Sequence, residues 1–204
     1  MVTLHGSAFS TYTWSARLAL EEKGVEYTLV PPRLRAPEYA ALHPFRKMPA
    51  LEHDGVRVFE AMAVMRYVDE AFAGPALQPA DAAGRARMTQ WMSAYNDFVA
   101  PHAVRGVLIP RLVLASRGVV VDEGAVRAAA ANAREALAVF EAALGESPWL
   151  AGDTVSLADL LLAPTIVTGA LLAGEDRYTD GLPQIGAWLA RLEARPAYAR
   201  ARPG

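Results

Sequence analysis

Three short segments hold the residue types best suited to chemistry. The first is Gly6-Ser7-Ala8-Phe9-Ser10-Thr11-Tyr12-Thr13, a hydroxyl-rich loop that runs into a helix. A helix start presents unpaired backbone N–H groups and the positive end of the macrodipole, so it favours anions, thiolates included. Ser10, Thr11 and Thr13 also suit plain N-capping, and on loop chemistry alone both readings stand. The second segment is Lys47-Met48-Pro49-Ala50-Leu51. A proline directly before a strand suggests a turn; in its cis form the bond would expose the backbone N–H and C=O of Met48 to a peptide-like ligand. The third is Phe59-Glu60-Ala61-Met62-Ala63-Val64, where a strand ends in a buried-looking acidic residue before a helix. A carboxylate there suits an ammonium group or an N-cap.

Other chemistries lack their residues. The chain has 204 residues and no cysteine, which excludes disulfides, thiolate-bound metals and a cysteine nucleophile. The histidines His5, His43, His53 and His102 show no i, i+4 pair and no HExxH, so no metal is expected. No GxSxG, GxGxxG or P-loop occurs. The net charge of −2 gives no broad basic surface, and no nucleic-acid partner is expected. The longest apolar stretch, Leu157 to Gly174, is broken by Asp159 and Pro164 and reads as a core helix, not a membrane span. The start has no basic and apolar leader pattern, and a cytoplasmic location is expected.

The segments need a scaffold. Val2–His5 and Tyr27–Val30 read as strands, with a helix from Thr13 closed by Gly24 between them. Pro37 to Leu42 reads as a short helix. A third strand starts at Pro49, His53-Asp54-Gly55 is a hairpin turn, and Val56, Val58 and Phe59 mark a fourth strand. Ala61 to Ala71 is helical. The order βαβαββα predicts a mixed four-stranded sheet with packed helices over residues 1–74. Residues 75–82, with Pro75 and Pro79, read as a linker. Residues 83–204 read as an all-α bundle. Its helices are expected at Ala83 to Arg105, after Pro110, over Asp122 to Leu144, Ser156 to Leu172 and Pro183 to Glu193, and after Pro196. Gly118 to Val121 reads as a loop. Within the bundle, Val155-Ser156-Leu157-Ala158-Asp159-Leu160 has the form of a capping box with a Val155–Leu160 staple, a structural device worth about 1 kcal/mol. Trp188 and Tyr198 read as core.

The order and spacing of these motifs resemble the glutathione transferases over nearly the whole chain. The resemblance rests on the Ser10 loop leading to Leu18-Ala19-Leu20-Glu21-Glu22-Lys23-Gly24, on Pro37-Glu38-Tyr39, and on His43-Pro44-Phe45-Arg46-Lys47-Met48-Pro49-Ala50-Leu51. Phe59-Glu60-Ala61 and the Ser156–Asp159 box complete it. It is nearest to serine-type members, the phi class and its bacterial relatives. It implies an α/β N-terminal thioredoxin-like domain plus an all-α C-terminal helical bundle, assembled as a homodimer. The implied reaction adds the glutathione thiolate to a small hydrophobic electrophile, with glutathione as co-substrate. Ser10 would donate a hydrogen bond to the sulfur, with Thr11 as a substitute donor. Arg35 and Lys47 would face the glycine carboxylate. Met48 would pair its backbone with the cysteinyl part, ahead of a cis Pro49. Glu60 and the Ala61 N–H would hold the γ-glutamyl end.

The resemblance also implies an electrophile pocket between the domains, with Phe9, Tyr12, Met88, Trp91, Met92 and Tyr95 as candidates and Arg111 and Leu112 farther along. Two positions depart from the pattern. Ala61 stands where the family usually has serine, and one lost hydrogen bond to a charged group weakens binding about ten- to a hundredfold. Ser15 stands where a basic residue is common. Two other functions fit the same fold. One is an isomerase, dehydratase or cyclase of specialised metabolism that uses glutathione as a cofactor or not at all. The other is a non-catalytic ligand-binding protein.

Overall fold

The computed structural model describes residues 1–172 and 174–203; Ala173 and Gly204, which the expected helical domain includes, lie outside the described residues. The chain divides into two compact units, Met1–Gln78 with Leu192–Gly204, and Pro79–Arg191.

In the first unit, strands β1 (Val2–His5), β2 (Tyr27–Val30), β3 (Ala50–His53) and β4 (Val56–Phe59) form one sheet in the order β2-β1-β3-β4. β1 runs parallel to β2 and antiparallel to β3, and β3 is antiparallel to β4. The strand alternation is visible in β1, where Val2 and Leu4 are buried and Thr3 and His5 are half-buried on the other face. The β3–β4 hairpin turns on Asp54 and Gly55, both with positive φ (48° and 85°), the backbone of a two-residue primed turn.

Helix α1 (Thr11–Glu22) buries Trp14, Leu18 and Leu20. It ends in paired bonds from Gly24 N–H to Glu21 C=O and from Val25 N–H to Leu20 C=O, a Schellman closure. α2 (Pro37–Ala40) is one turn, and α3 (Ala61–Ala71) packs on α1. At the foot of both helices Lys23 Nζ meets Asp69 at 3.1 Å, with side chains only 3% and 7% exposed. Asp69 also accepts the Leu77 N–H and the Gln78 side-chain amide, so one buried carboxylate anchors the chain leaving α3. The C-terminal α8 (Pro196–Ala201) also packs on α1. Arg195 forks onto Glu22 at 2.6 and 2.7 Å, and the Tyr198 ring lies 6.0 Å from Trp14. Tyr198 is buried, as its core assignment requires.

The second unit is helical. α4 (Ala82–Ala94) starts at Asp81, whose carboxylate accepts the Gly84 N–H. It continues without a break through wide π-type turns at Tyr95–Val99 and Pro101–Leu114, bending by 52° between Ala82–Val99 and Pro101–Arg117. This corrects the expected interruption between Arg105 and Pro110. Proline cannot donate, but in a wide turn its carbonyl still serves, and Pro110 C=O accepts from Ala115 N–H. Gly118 closes the segment with a left-handed φ of 72°.

α5 (Glu123–Glu146) buries Val126, Ala130, Ala133, Leu137, Phe140 and Leu144 along one stripe. α6 (Leu157–Ala170) is apolar on nearly every side and is mostly buried, with Pro164 inside it. α7 (Pro183–Glu193) supplies the fully buried Trp188. The two units thus carry the mixed sheet and the helical bundle expected for this fold class.

Candidate active site

The sheet register brings the three candidate segments to one end. His5 pairs with Ala50, and Ala50 pairs with Phe59. The Ser10 loop follows His5, Met48–Pro49 precedes Ala50, and Glu60 follows Phe59. All three therefore leave the sheet at the same edge of the first unit. Gly6 shapes this corner. A Cβ there would lie 2.3 Å from the Thr13 side chain, so only glycine lets the loop close on α1.

Ser10 is the N-cap of α1, with extended backbone angles of −76° and 124°. Its Oγ accepts the Thr13 N–H across a long 3.4 Å, and no described residue accepts its hydroxyl hydrogen. Thr11 is buried, and its carbonyl accepts the Ser15 hydroxyl at 3.1 Å. Ser15 is fully buried, so this position offers no charge to a ligand. Phe9 is 75% exposed and Tyr12 half-buried.

The Met48–Pro49 peptide is cis. Met48 makes no backbone hydrogen bond among the described residues, which leaves its N–H and C=O open there. The Tyr39 hydroxyl donates to the Lys47 carbonyl at 2.7 Å and fixes this loop to α2. Lys47 and Arg35 are exposed.

Glu60 corrects its sequence reading, because it is exposed and not buried. It takes a left-handed φ of 70° at the strand-to-helix corner, a conformation costing a non-glycine residue about 1–3 kcal/mol. Its carbonyl accepts the Val64 N–H at 2.9 Å, while its carboxylate makes no cap bond. The acid therefore starts α3 through its backbone and keeps its charge free. Ala61 is buried beside it.

Sequence reasoning assigned no role to His43, which the structure places in this corner. It is 1% exposed, with the Phe59 ring at 5.0 Å and the Phe45 ring at 6.4 Å, and its Nδ1 has no partner among the described residues. Burial pushes its pKa down; the Glu60 charge opposes that shift and the Lys47 charge adds to it. The one available signal was a histidine inside the loop that ends at Pro49. Thr13 Oγ1 is likewise buried without a partner among the described residues.

The other candidates lie in the second unit. Met88, Met92 and Tyr95 are buried, and the Tyr95 hydroxyl is 2.7 Å from Thr165 Oγ1. Trp91 is half-buried against the Phe140 ring at 4.8 Å. Arg111 is bound by Glu123 and Asp176, which raise its already high pKa. Leu112 is 47% exposed.

The Ser156–Asp159 box forms. Asp159 is fully buried and accepts four hydrogen bonds, from the Leu150 N–H, the Ser156 N–H, the Ser156 hydroxyl and the Trp188 indole. Burial pushes its pKa up while these donors oppose the shift. No group of three or more metal-ligating side chains occurs among the described residues.

Comparison with known proteins identifies the family. The family model of the glutathione S-transferase N-terminal domain matches residues 1–70, and that of the C-terminal domain matches residues 92–196. Glutathione S-transferase 4 of Zea mays is 34% identical over 206 residues, covering 96% of this chain and 89% of the relative. The solved structure of glutathione S-transferase III in apo form superposes with a TM-score of 0.88 at 28% identity, covering 98% and 94% of the two chains. The theta class glutathione S-transferase of Xanthomonas axonopodis pv. citri, solved with glutathione bound, gives 0.86 at 29% identity, covering 98% and 96%. The chain belongs to the glutathione S-transferase family, in its phi-like branch.

Proposed function

We propose that this protein conjugates the thiolate of glutathione to a small apolar electrophile, with Ser10 as the residue that stabilises the sulfur. The observation that carries this reading is the state of the Ser10 hydroxyl. It accepts weakly from Thr13 N–H and has a hydrogen left to donate. A free thiol titrates near ~8.5, so a donor at a helix N-terminus that lowers it by one to two units raises the thiolate fraction at neutral pH several-fold or more.

The charges assigned to the site complement glutathione, which carries two carboxylates and one ammonium. Arg35 and Lys47 are exposed cations suited to the glycine carboxylate, and the exposed Glu60 carboxylate suits the γ-glutamyl ammonium. The open N–H and C=O of Met48 suit the cysteinyl peptide unit. The reactive thiol must come from the ligand, since the chain has no cysteine. Phe9 and Tyr12, on either side of the Ser10–Thr11 pair in the chain, are the residues we assign to flank the sulfur. By resemblance to its relatives the enzyme acts as a cytoplasmic homodimer in the removal of reactive electrophiles.

The test is a thermal melt with millimolar glutathione, followed by chlorodinitrobenzene conjugation. We expect a raised Tm and a measurable conjugation rate. No shift in Tm would overturn the reading.

A further inference from the structure

A second cleft of about 350 Å³ lies between α2 and the sheet of the first unit. Its floor carries His5 and Glu52, with His5 Nε2 at 2.9 Å from Glu52 Oε2. Arg57 Nε donates to the other carboxylate oxygen at 3.0 Å, so both oxygens of Glu52 are engaged. These bonds hold the Glu52 carboxyl below the usual range, the His5 bond most strongly. An ionised carboxylate only accepts, so Nε2 of His5 carries the hydrogen. In the neutral ring this leaves a lone pair on Nδ1, which has no bonded partner among the described residues. One wall is apolar and partly aromatic, made by Pro31, Pro32, Leu42 and Tyr39, whose ring lies 6.3 Å from the His5 ring. Arg33 and Arg57 stand at the rim, and Arg33 is exposed.

A base with a fixed tautomer, a flat apolar wall and two guanidinium groups complement one kind of small molecule. It is flat and apolar and bears a weakly acidic O–H. We propose that this cleft is a second small-molecule site that takes a phenol, with His5 Nδ1 accepting its O–H and its ring against the proline–tyrosine wall. Passage of the O–H proton to Nδ1 gives an imidazolium held by Glu52 and a phenolate facing Arg33 and Arg57. No bond to carbon forms or breaks. The site uses none of the residues assigned to glutathione, so it stands or falls independently of the conjugation reaction.

The experiment is an absorbance titration of 4-nitrophenol, buffered below its own pKa, with saturating glutathione present. The protein is expected to increase the yellow phenolate form in a saturable way. His5→Gln should weaken binding about tenfold while chlorodinitrobenzene conjugation is unchanged. Arg33→Ala removes an exposed side chain without touching the core; it should weaken phenolate binding several-fold and flatten its salt dependence. It therefore carries the test even if His5→Gln fails to fold. No saturable colour gain with glutathione present, or full binding retained in the Arg33→Ala variant, would each overturn the proposal.

Discussion

Ser10 and Ser156 both stand at helix N-caps, yet their surroundings differ in what is left unbonded. At Ser156 the hydroxyl donates to Asp159, and Asp159 also takes the Ser156 N–H, the Leu150 N–H and the Trp188 indole. Every partner is buried. At Ser10 the hydroxyl accepts one long bond and donates none, and the neighbouring Met48 N–H and C=O, Lys47 and Glu60 are open. A polar network that is saturated and dry holds structure, whereas one that is unsaturated at the ends of the strands can bind and polarise a ligand. The residue type does not separate the two serines; the count of unspent hydrogen-bonding groups does.

The comparison breaks most visibly at the saturated end. Asp159→Ala strands four buried donors without an acceptor. It should cost about 3–5 kcal/mol, as breaking a buried charged network does. That is a large part of the roughly 5–15 kcal/mol typical of a folded domain. Urea unfolding followed by circular dichroism measures it. A loss below about 1 kcal/mol would show that the network is dispensable and the contrast with Ser10 is misdrawn.

At the open end the effect should move from stability to rate. Ser10→Ala removes the hydroxyl proposed to stabilise the thiolate; losing a shift of one to two units in the thiol pKa lowers the thiolate fraction at neutral pH, and with it the rate, by about ten- to twentyfold. Its cap bond is long, so the same change should alter stability by no more than about 1 kcal/mol. Stopped-flow or steady-state conjugation at several pH values gives the rate, and the thiol titration should shift toward that of free glutathione. Full activity in the variant would remove Ser10 from the chemistry and leave it a cap.

How far the sequence foretold this contrast depends on the reach of each signal. The box at Ser156 spans four residues and obeys local capping rules, so its form was readable; the reach of Asp159 to Leu150 and Trp188 was not, because those partners meet only in the fold. The strands and the Asp54–Gly55 turn were legible from alternation and turn chemistry. The helix through Pro110 was not, because proline reads as a break unless wide turns relieve it. Glu60 was misjudged as buried because the apolar residues around it suggested a core, and its left-handed φ is invisible in a string of letters. His43 and the Lys23–Asp69 pair were missed for a related reason: their significance is burial, which only the packed unit reveals.

The helix α3 offers a third start that sharpens the comparison. It has neither a saturated nor an open serine. Glu60 makes no side-chain cap, and buried Ala61 supplies only its backbone. Ala61→Ser adds a hydroxyl next to the free Glu60 charge, where the resemblance puts the γ-glutamyl end of glutathione with its carboxylate. If unspent donors at this edge are what bind glutathione, the variant should lower KM for glutathione about tenfold, within the range for one hydrogen bond to a charged group. kcat should stay nearly constant, because the added bond is made equally in ground and transition states. Isothermal titration with glutathione gives the affinity, and a separate thermal melt of the ligand-free variant separates this from a folding effect. An unchanged affinity would mean that the carboxylate is already fully held by the backbone. The open character of this edge would then lie with Ser10 and Met48 alone.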